Sequence, residues 1–200
     1  MGIVSGSMNL FRLYFNENFG FNMLEMSDIL EKFSFDAFYD EGKNINYGFV
    51  PFEYPEKFSF TDSSIIYGEH ILFAMRYDEK KINSRYYNTE LSNLKRKFLE
   101  ENRKDFLSKM DLEFLKNTLT NRLLKMAVPS TSMVEIIFVP EKKEIYVSMI
   151  SSKIVESLTH LFRSAFDINI YQENLVEFSK RVLDNPGKLD QVLQLNPSFN

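Results

Sequence analysis

Hydrophobic and polar residues alternate near the start of the chain and then repeat at helical spacing. Phe11, Leu13 and Phe15 occupy every second position, as expected of a strand with one buried face. Asn22 followed by Glu25 three residues later is typical of a helix N-terminus. The apolar positions that follow repeat as they do on one helical face: Met23, Met26, Ile29, Leu30 and Phe33. This part of the chain therefore predicts a strand and then a helix.

Two further strand signals precede the middle of the chain. A short strand is predicted over residues 47–52, where prolines then limit its length. Residues 65–77 contain two apolar runs on either side of Gly68 and Glu69, and a glycine at the first turn position suits a type II′ turn. The sequence therefore predicts a β-hairpin at this point.

A long stretch in the middle of the chain favours helix. From about Thr89 to Val128 there is no glycine or proline, and Leu, Lys, Glu and Arg are frequent. Asp111 is a candidate N-cap for a second helix beginning near Leu112. We therefore expect two helices with a break near residues 109–111.

The pattern of the last third returns to strands and then to a helix. Two strands are predicted over Met133–Val139 and Glu144–Ile150, joined by a short proline-containing turn. Ser151 or Ser152 is expected to cap a helix that runs to about Phe166. Its buried stripe is predicted to consist of Ile154, Val155, Leu158, Leu161 and Phe162.

Because strands and helices occur in clusters rather than in strict alternation, the fold class is predicted to be α+β. We expect mostly antiparallel sheets with a long helical pair inserted between two strand-containing halves. Residues 1–7 are interpreted as a disordered leader or a remnant of an expression tag. The main domain is expected over residues 8–172, with a basic helical segment at 85–127. A last strand is predicted at 167–171, and residues 173–200 are expected to form a C-terminal helix and tail that belong either to this fold or to the start of a missing second half.

Charge is distributed unevenly along the chain, although the net charge is only −4. Residues 1–75 carry 4 basic and 11 acidic side chains, whereas residues 76–125 carry 13 basic and 8 acidic ones. Residues 126–200 are slightly acidic, with 7 basic and 9 acidic side chains. A local positive field can therefore exist on a protein whose total charge is negative.

The basic residues of the predicted helical pair are the candidate DNA-binding residues. Phosphate groups respond to the local field, and Lys or Arg contacts to phosphate position a protein without reading bases. If about six phosphates are neutralised, the slope of log K against log salt should be near −5. Alternatively, these cations belong to an ordinary solvated helix surface, or to a module that binds an acidic protein. The candidates are Arg85, Lys95, Arg96, Lys97, Arg103, Lys104, Lys109, Lys116, Arg122 and Lys125.

No catalytic constellation is evident in the sequence. Cysteine is absent, and His70 and His160 are not at a metal-binding spacing. Nothing matches the G-x-S-x-G or glycine-rich phosphate-loop motifs. The mixed-charge runs 78–81 and 141–144 leave a metal-dependent nuclease as the least favoured alternative. We therefore predict no enzyme activity, no cofactor and no metal.

The location is expected to be the cytoplasm. The absence of cysteine is permissive of a reducing compartment, and no apolar run reaches the roughly 20 residues that span a membrane. No membrane association is therefore predicted.

Three stretches resemble the recombination-associated protein RdgC family. Gly48 to Pro51 is similar to the family's G-W-V-P turn, and Ile71 to Ser84 to its strand leading through a Glu-Lys pair into a long helix. Leu123 to Glu156 follows the family's order of Leu-Leu, strand, turn, strand and Ser-Lys helix start. Together these stretches extend the resemblance over about residues 8–172.

The resemblance implies a non-enzymatic protein of the nucleoid that binds double-stranded DNA with little sequence preference. Family members form ring-shaped homodimers with a positive central hole and restrain the strand-exchange recombinase. This chain departs from the family pattern in two respects. Family chains are longer, so ring closure is not implied for this chain. Val128 also stands where the family has an exposed aromatic residue.

Overall fold

The computed structural model describes residues 9–20, 22–36, 43–61, 63–68 and 70–172. The predicted leader over residues 1–7 and the predicted C-terminal helix and tail over 173–200 lie outside these described residues. Within the described part, no helix is both long enough and apolar enough to cross a membrane.

The chain forms one antiparallel sheet and four α-helices among the described residues, so the predicted α+β class is confirmed. The strand order is β1-β6-β5-β4-β2, with β3 paired to β4 beside this path. A 3₁₀ turn at Pro140–Lys142 joins β5 to β6. The elements are β1 (Phe11–Tyr14), α1 (Met23–Lys32), β2 (Ile45–Val50), β3 (Ile66–Tyr67), β4 (His70–Lys80), α2 (Ser84–Asn102), α3 (Lys109–Met126), β5 (Pro129–Val139), β6 (Glu144–Val147) and α4 (Ser152–Phe166).

The chain divides into two compact units. Among the described residues, the first consists of residues 9–34, 49–75 and 134–172, and the second of residues 35–48 and 76–133. The second unit contains both α2 and α3. The basic segment predicted over residues 85–127 therefore lies within this unit.

Phenylalanine rings form much of the core of the first unit. Phe49, Phe73, Phe138 and Phe162 are fully buried. The Phe49 ring centroid lies 5.2 Å from that of Phe73, and the Phe138 centroid lies 5.8 Å from that of Phe162. Tilted and edge-to-face contacts of this kind each add about 1 kcal/mol beyond the burial of area. Packing of the core therefore explains why these positions are occupied by phenylalanine.

The predicted starts of two helices and one predicted turn are confirmed. The Asn22 side chain accepts a hydrogen bond from the Glu25 backbone at 3.0 Å, and the Glu25 carboxylate accepts one from the Asn22 backbone at 2.9 Å. Ser151 caps α4 by accepting a hydrogen bond from the Ile154 backbone. The β3–β4 hairpin turns at Gly68, whose φ of +64° is in the region that glycine adopts without strain.

Some predicted boundaries were wrong. Helix α2 begins at Ser84 rather than near Thr89, and β5 begins at Pro129 rather than at Met133. In the predicted strand 167–171, Tyr171 forms a single bridge to Tyr14 of β1. The start of α2 is set locally by its N-cap, Asn83, whereas tertiary pairing decided the strand ends, because a strand extends only where a neighbour accepts its hydrogen bonds.

Candidate nucleic-acid interface

Helices α2 and α3 pack together into a helical hairpin in the second unit. Leu115, Leu119 and Leu123 are spaced four residues apart on α3, so they share one helical side, and they are buried against Leu91 of α2. Partly buried apolar residues complete this contact: Ile82, Tyr87, Leu94, Phe98 and Leu107. The hairpin therefore has a hydrophobic seam of its own.

Side-chain caps fix where α2 begins and ends. The Asn83 side chain accepts hydrogen bonds from the backbone of Arg85 at 3.0 Å and of Tyr86 at 3.1 Å. At the other end, Arg103 adopts a left-handed conformation with φ of 51°. The backbone N–H of Lys104 then donates to the Leu99 carbonyl at 3.0 Å, which closes the helix.

The start of α3 corrects the prediction for Asp111. The N-cap is Ser108, which accepts a hydrogen bond from the Asp111 backbone at 3.1 Å. The Asp111 carboxylate accepts from the Ser108 backbone at 3.2 Å and from Lys104 Nζ at 3.0 Å. The hydrogen bond from Lys104, followed by those from Ser108, lowers the pKa of Asp111. The break between the helices accordingly lies at residues 103–108 rather than 109–111.

An ion pair defines one side of the hairpin. Arg122 Nη2 of α3 lies 3.0 Å from Glu90 Oε2 of α2. We call the side on which these two residues meet the paired side. Lys97 lies seven residues after Glu90. At 3.6 residues per turn, the two side chains therefore project within about 20° of each other. Lys125 lies three residues after Arg122 and also projects from this half of α3.

Cations of α3 also lie on the opposite side of the hairpin. Lys116 is three residues before Leu119 and Arg122 three residues after it, so the two flank the buried leucine by about 60° in opposite directions. Lys109 is seven residues before Lys116 and lies within about 20° of its direction. These two lysines are therefore turned away from the paired side.

The same geometry places three cations of α2 away from the paired side. Glu90 lies about 100° to one side of Leu91, whereas Lys95 and Arg96 lie about 40° and 140° to the other. Arg85, eleven residues before Arg96, lies within about 20° of its direction. Glu90 and Arg122 meet on one side of the hairpin. The helix sides that are turned away from this contact therefore also lie together, on the other side of the hairpin.

We call this opposite side the cationic face. Apart from the half-buried Lys95 its members are exposed, and none of them forms an ion pair with a described residue. Glu100 and Glu113 border it. The cationic face consists of Arg85, Lys95, Arg96, Lys109 and Lys116.

The ten predicted DNA-binding residues are therefore divided among three locations. Five form the cationic face. Lys97, Arg122 and Lys125 lie on the paired side, and Arg122 is occupied by Glu90. Arg103 and Lys104 lie in the connecting segment, where Lys104 is occupied by Asp111 and lies 5.4 Å from the Phe98 ring centroid. Sequence reasoning grouped these ten residues by their position in the chain. It did not establish the side of the hairpin from which each one projects.

Three of the four carboxylates considered for a nuclease are engaged in other contacts. Asp78 is buried on β4, and both of its oxygens accept hydrogen bonds from Arg76, at 3.0 and 2.9 Å. Glu79 lies 3.0 Å from Lys81. Glu144 is also buried and accepts a hydrogen bond from the Tyr146 hydroxyl at 2.6 Å. Among the described residues, no group of three metal-ligating side chains is close enough to hold an ion.

Sequence reasoning also missed an exposed apolar group at the end of the hairpin where α2 and α3 are connected. Phe106, Met110 and Phe114 are 78%, 81% and 63% exposed. Their spacing of four residues was readable as helical, but the periodicity alone does not show which apolar positions lack a neighbour. Val128, at the position where the resembled family has an aromatic residue, is exposed too.

No protein-family model matches the chain, and the search of curated proteins found no match.

Proposed function

We propose that the protein binds double-stranded DNA without sequence preference, through phosphate contacts made by the cationic face. The observation that carries this proposal is the presence of five cations on one side of the hairpin, none of them in an ion pair with a described residue. Unpaired Lys and Arg side chains can release counterions from DNA, whereas those already held by carboxylates gain less from phosphate.

The composition of this face supports binding without base readout. Its members are long, flexible cations that position a protein on the phosphate backbone. The exposed aromatic residues Tyr86, Phe106 and Phe114 are not members of the face. Because stacking of bases on aromatic rings is a main source of affinity for single strands, duplex DNA is the better fit.

The resemblance noted in the sequence extends this proposal to a cellular role. It suggests a nucleoid protein of DNA recombination or replication that acts as a homodimer and restrains the strand-exchange recombinase, without an enzymatic step of its own. A strand-exchange assay with and without the protein tests this part. Unchanged exchange at protein concentrations that saturate the DNA would contradict it.

The binding proposal itself is tested by fluorescence anisotropy on a plain duplex at several salt concentrations. Five phosphate contacts predict a slope of log K against log salt near −4.5. Two duplexes of unrelated sequence should give the same affinity and the same slope. A response independent of salt, or no binding at low salt, would refute the proposal.

The same assay separates the alternative functions. A protein-interaction module is favoured by the exposed apolar residues at the connected end of the hairpin, and it predicts no retention of DNA. A nuclease predicts loss of the input duplex when magnesium is added.

A further inference from the structure

The end of the hairpin where α2 and α3 are connected carries three large apolar side chains that are mostly exposed. Phe106 lies in the connecting segment, whereas Met110 and Phe114 lie on α3. Met110 is nine residues before the buried Leu119 and Phe114 five residues before it, so both project at least about 140° away from the hydrophobic seam. Exposed groups of this kind commonly mark interaction sites. We call these three residues the apolar tip.

Charge along the hairpin changes sign between its body and its connected end. The body of the two helices, residues 84–99 and 115–126, carries seven basic side chains and one acidic one. Residues 100–114, which include the apolar tip, carry five acidic and three basic side chains. Apolar residues surrounded by carboxylates are a poor match for DNA, because like charges repel. The connected end is therefore suited to a different type of ligand from the cationic face.

Most of the carboxylates around the apolar tip are available to a partner. Four are exposed and form no ion pair with a described residue: Glu100, Glu101, Asp105 and Glu113. The fifth, Asp111, is paired with Lys104. Lys109 is turned toward the cationic face, which leaves Arg103 as the remaining cation of this segment. Available negative charge thus exceeds available positive charge at the apolar tip.

Two of these carboxylates lie on either side of the apolar tip. Glu113 is three residues after Met110 and projects about 60° from it, toward the cationic face. Glu101 is eleven residues after Glu90 and projects within about 20° of its direction, toward the paired side. Lys97, four residues before Glu101, marks where the positive charge of the hairpin body begins on that side. The exposed apolar residues are therefore bordered by a carboxylate on each side.

We propose that the apolar tip binds a basic amphipathic α-helix of another protein. Such a helix places apolar side chains on Met110 and Phe114, and lysines or arginines beside Glu101 and Glu113. A helix fits better than an extended strand, because the backbone groups of α3 are paired within the helix and leave no edge for a strand to join. Apolar side chains four residues apart form a ridge of the type that packs into the groove of another helix. The positive body of the hairpin repels the same partner and confines it to the tip.

Anisotropy of a labelled synthetic peptide, with the full chain and without DNA, tests the inference. The peptide is an amphipathic helix of about 15 residues, with leucines on one side and lysines next to them; this is near the length at which an isolated helix forms. Because only about two turns of α3 contribute, the interface is smaller than a standard one and a micromolar dissociation constant is expected. A peptide of the same composition with its leucines scattered around the helix should bind at least about tenfold more weakly.

Variants of the apolar tip and of its carboxylates locate the contact. Phe114→Ser should weaken peptide binding by about tenfold or more, and Met110→Ser provides the same test at a second position. Both side chains are mostly exposed, so circular dichroism should show an unchanged fold. Glu101→Lys/Glu113→Lys should also weaken binding by about tenfold, and a peptide with glutamates in place of the lysines should bind this variant but not the wild type. Glu141→Lys, which changes an exposed carboxylate of the other unit, should leave binding unchanged.

Three results would overturn the inference. The first is equal binding of the two leucine–lysine peptides, or no binding of either. The second is self-association in sedimentation velocity that Phe114→Ser abolishes, which would assign the apolar tip to a second copy of the chain. The third is a loss of duplex affinity in Phe114→Ser, which would assign it to DNA. Because the peptide titration contains no DNA, its failure leaves the DNA-binding proposal standing, and a failure to bind DNA leaves this inference standing.

Discussion

Glu90 and Arg122 meet across the helical hairpin with a nitrogen-to-oxygen distance of 3.0 Å. This contact neutralises one of the cations that the sequence nominated for DNA binding. It also fixes which sides of α2 and α3 coincide, and therefore which lysines and arginines act together. The hairpin has a paired side, where cations meet carboxylates, and a cationic face where they do not.

A paired set of variants tests this division. Lys95→Gln/Arg96→Gln removes two charges from the cationic face, and Lys97→Gln/Lys125→Gln removes two from the paired side. The first variant should weaken duplex binding by roughly tenfold or more and reduce the salt slope by about 2. The second should change both quantities much less. Anisotropy titrations would contradict the division if the two variants lost equal affinity.

The hydrophobic seam should dominate the stability of the hairpin. Leu119 is fully buried, so Leu119→Ala leaves a cavity and should lower the free energy of unfolding by about 2–5 kcal/mol. Asn121→Ala, two residues away and exposed, should change it by less than about 0.5 kcal/mol. Urea unfolding followed by circular dichroism measures both. Equal effects would show that the seam is not packed as described.

The start of α3 should depend on pH through Asp111. The hydrogen bond from Lys104 lowers the pKa of Asp111 below its ordinary value of 3.8. The carboxylate therefore contributes stability above that value, and this contribution is lost as the pH falls through the lowered pKa. Lys104→Met should raise the pKa of Asp111 toward 3.8, as followed by carboxyl carbon NMR during an acid titration. An unchanged pKa would exclude Lys104 as the main cause.

The buried ion pair on β4 gives a further prediction. Asp78 is only 1% exposed, and Arg76, which holds it, stacks 4.5 Å from the ring centroid of Phe35. Arg76→Met leaves a buried carboxylate without its partner and should destabilise the protein by about 3–5 kcal/mol. Arg76→Met/Asp78→Leu should recover most of this loss, because the double variant removes the buried carboxylate together with its partner. Denaturant unfolding of the two variants would disprove this account if they were equally unstable.

Local signals in the sequence were sufficient to predict many of the helices, strands and turns. The lack of glycine and proline between Thr89 and Val128 indicated the helical pair, Asn22 and Glu25 indicated the start of α1, and Gly68 indicated the β3–β4 turn. Each of these depends on backbone preferences or on hydrogen bonds between residues close in the chain. Such features can be predicted because the partners are known from their spacing.

The functional surface could be predicted only in part. The sequence by itself determined that positive charge is concentrated between residues 76 and 125 and that most of this segment is helical. Only the tertiary structure decided that Arg122 and Lys104 are paired with carboxylates, that five other cations share one side, and that Phe114 is mostly exposed. The physical reason is that a helix presents side chains in every direction. Their roles are set by which side packs against the other helix, and that depends on residues about 30 positions away in the chain.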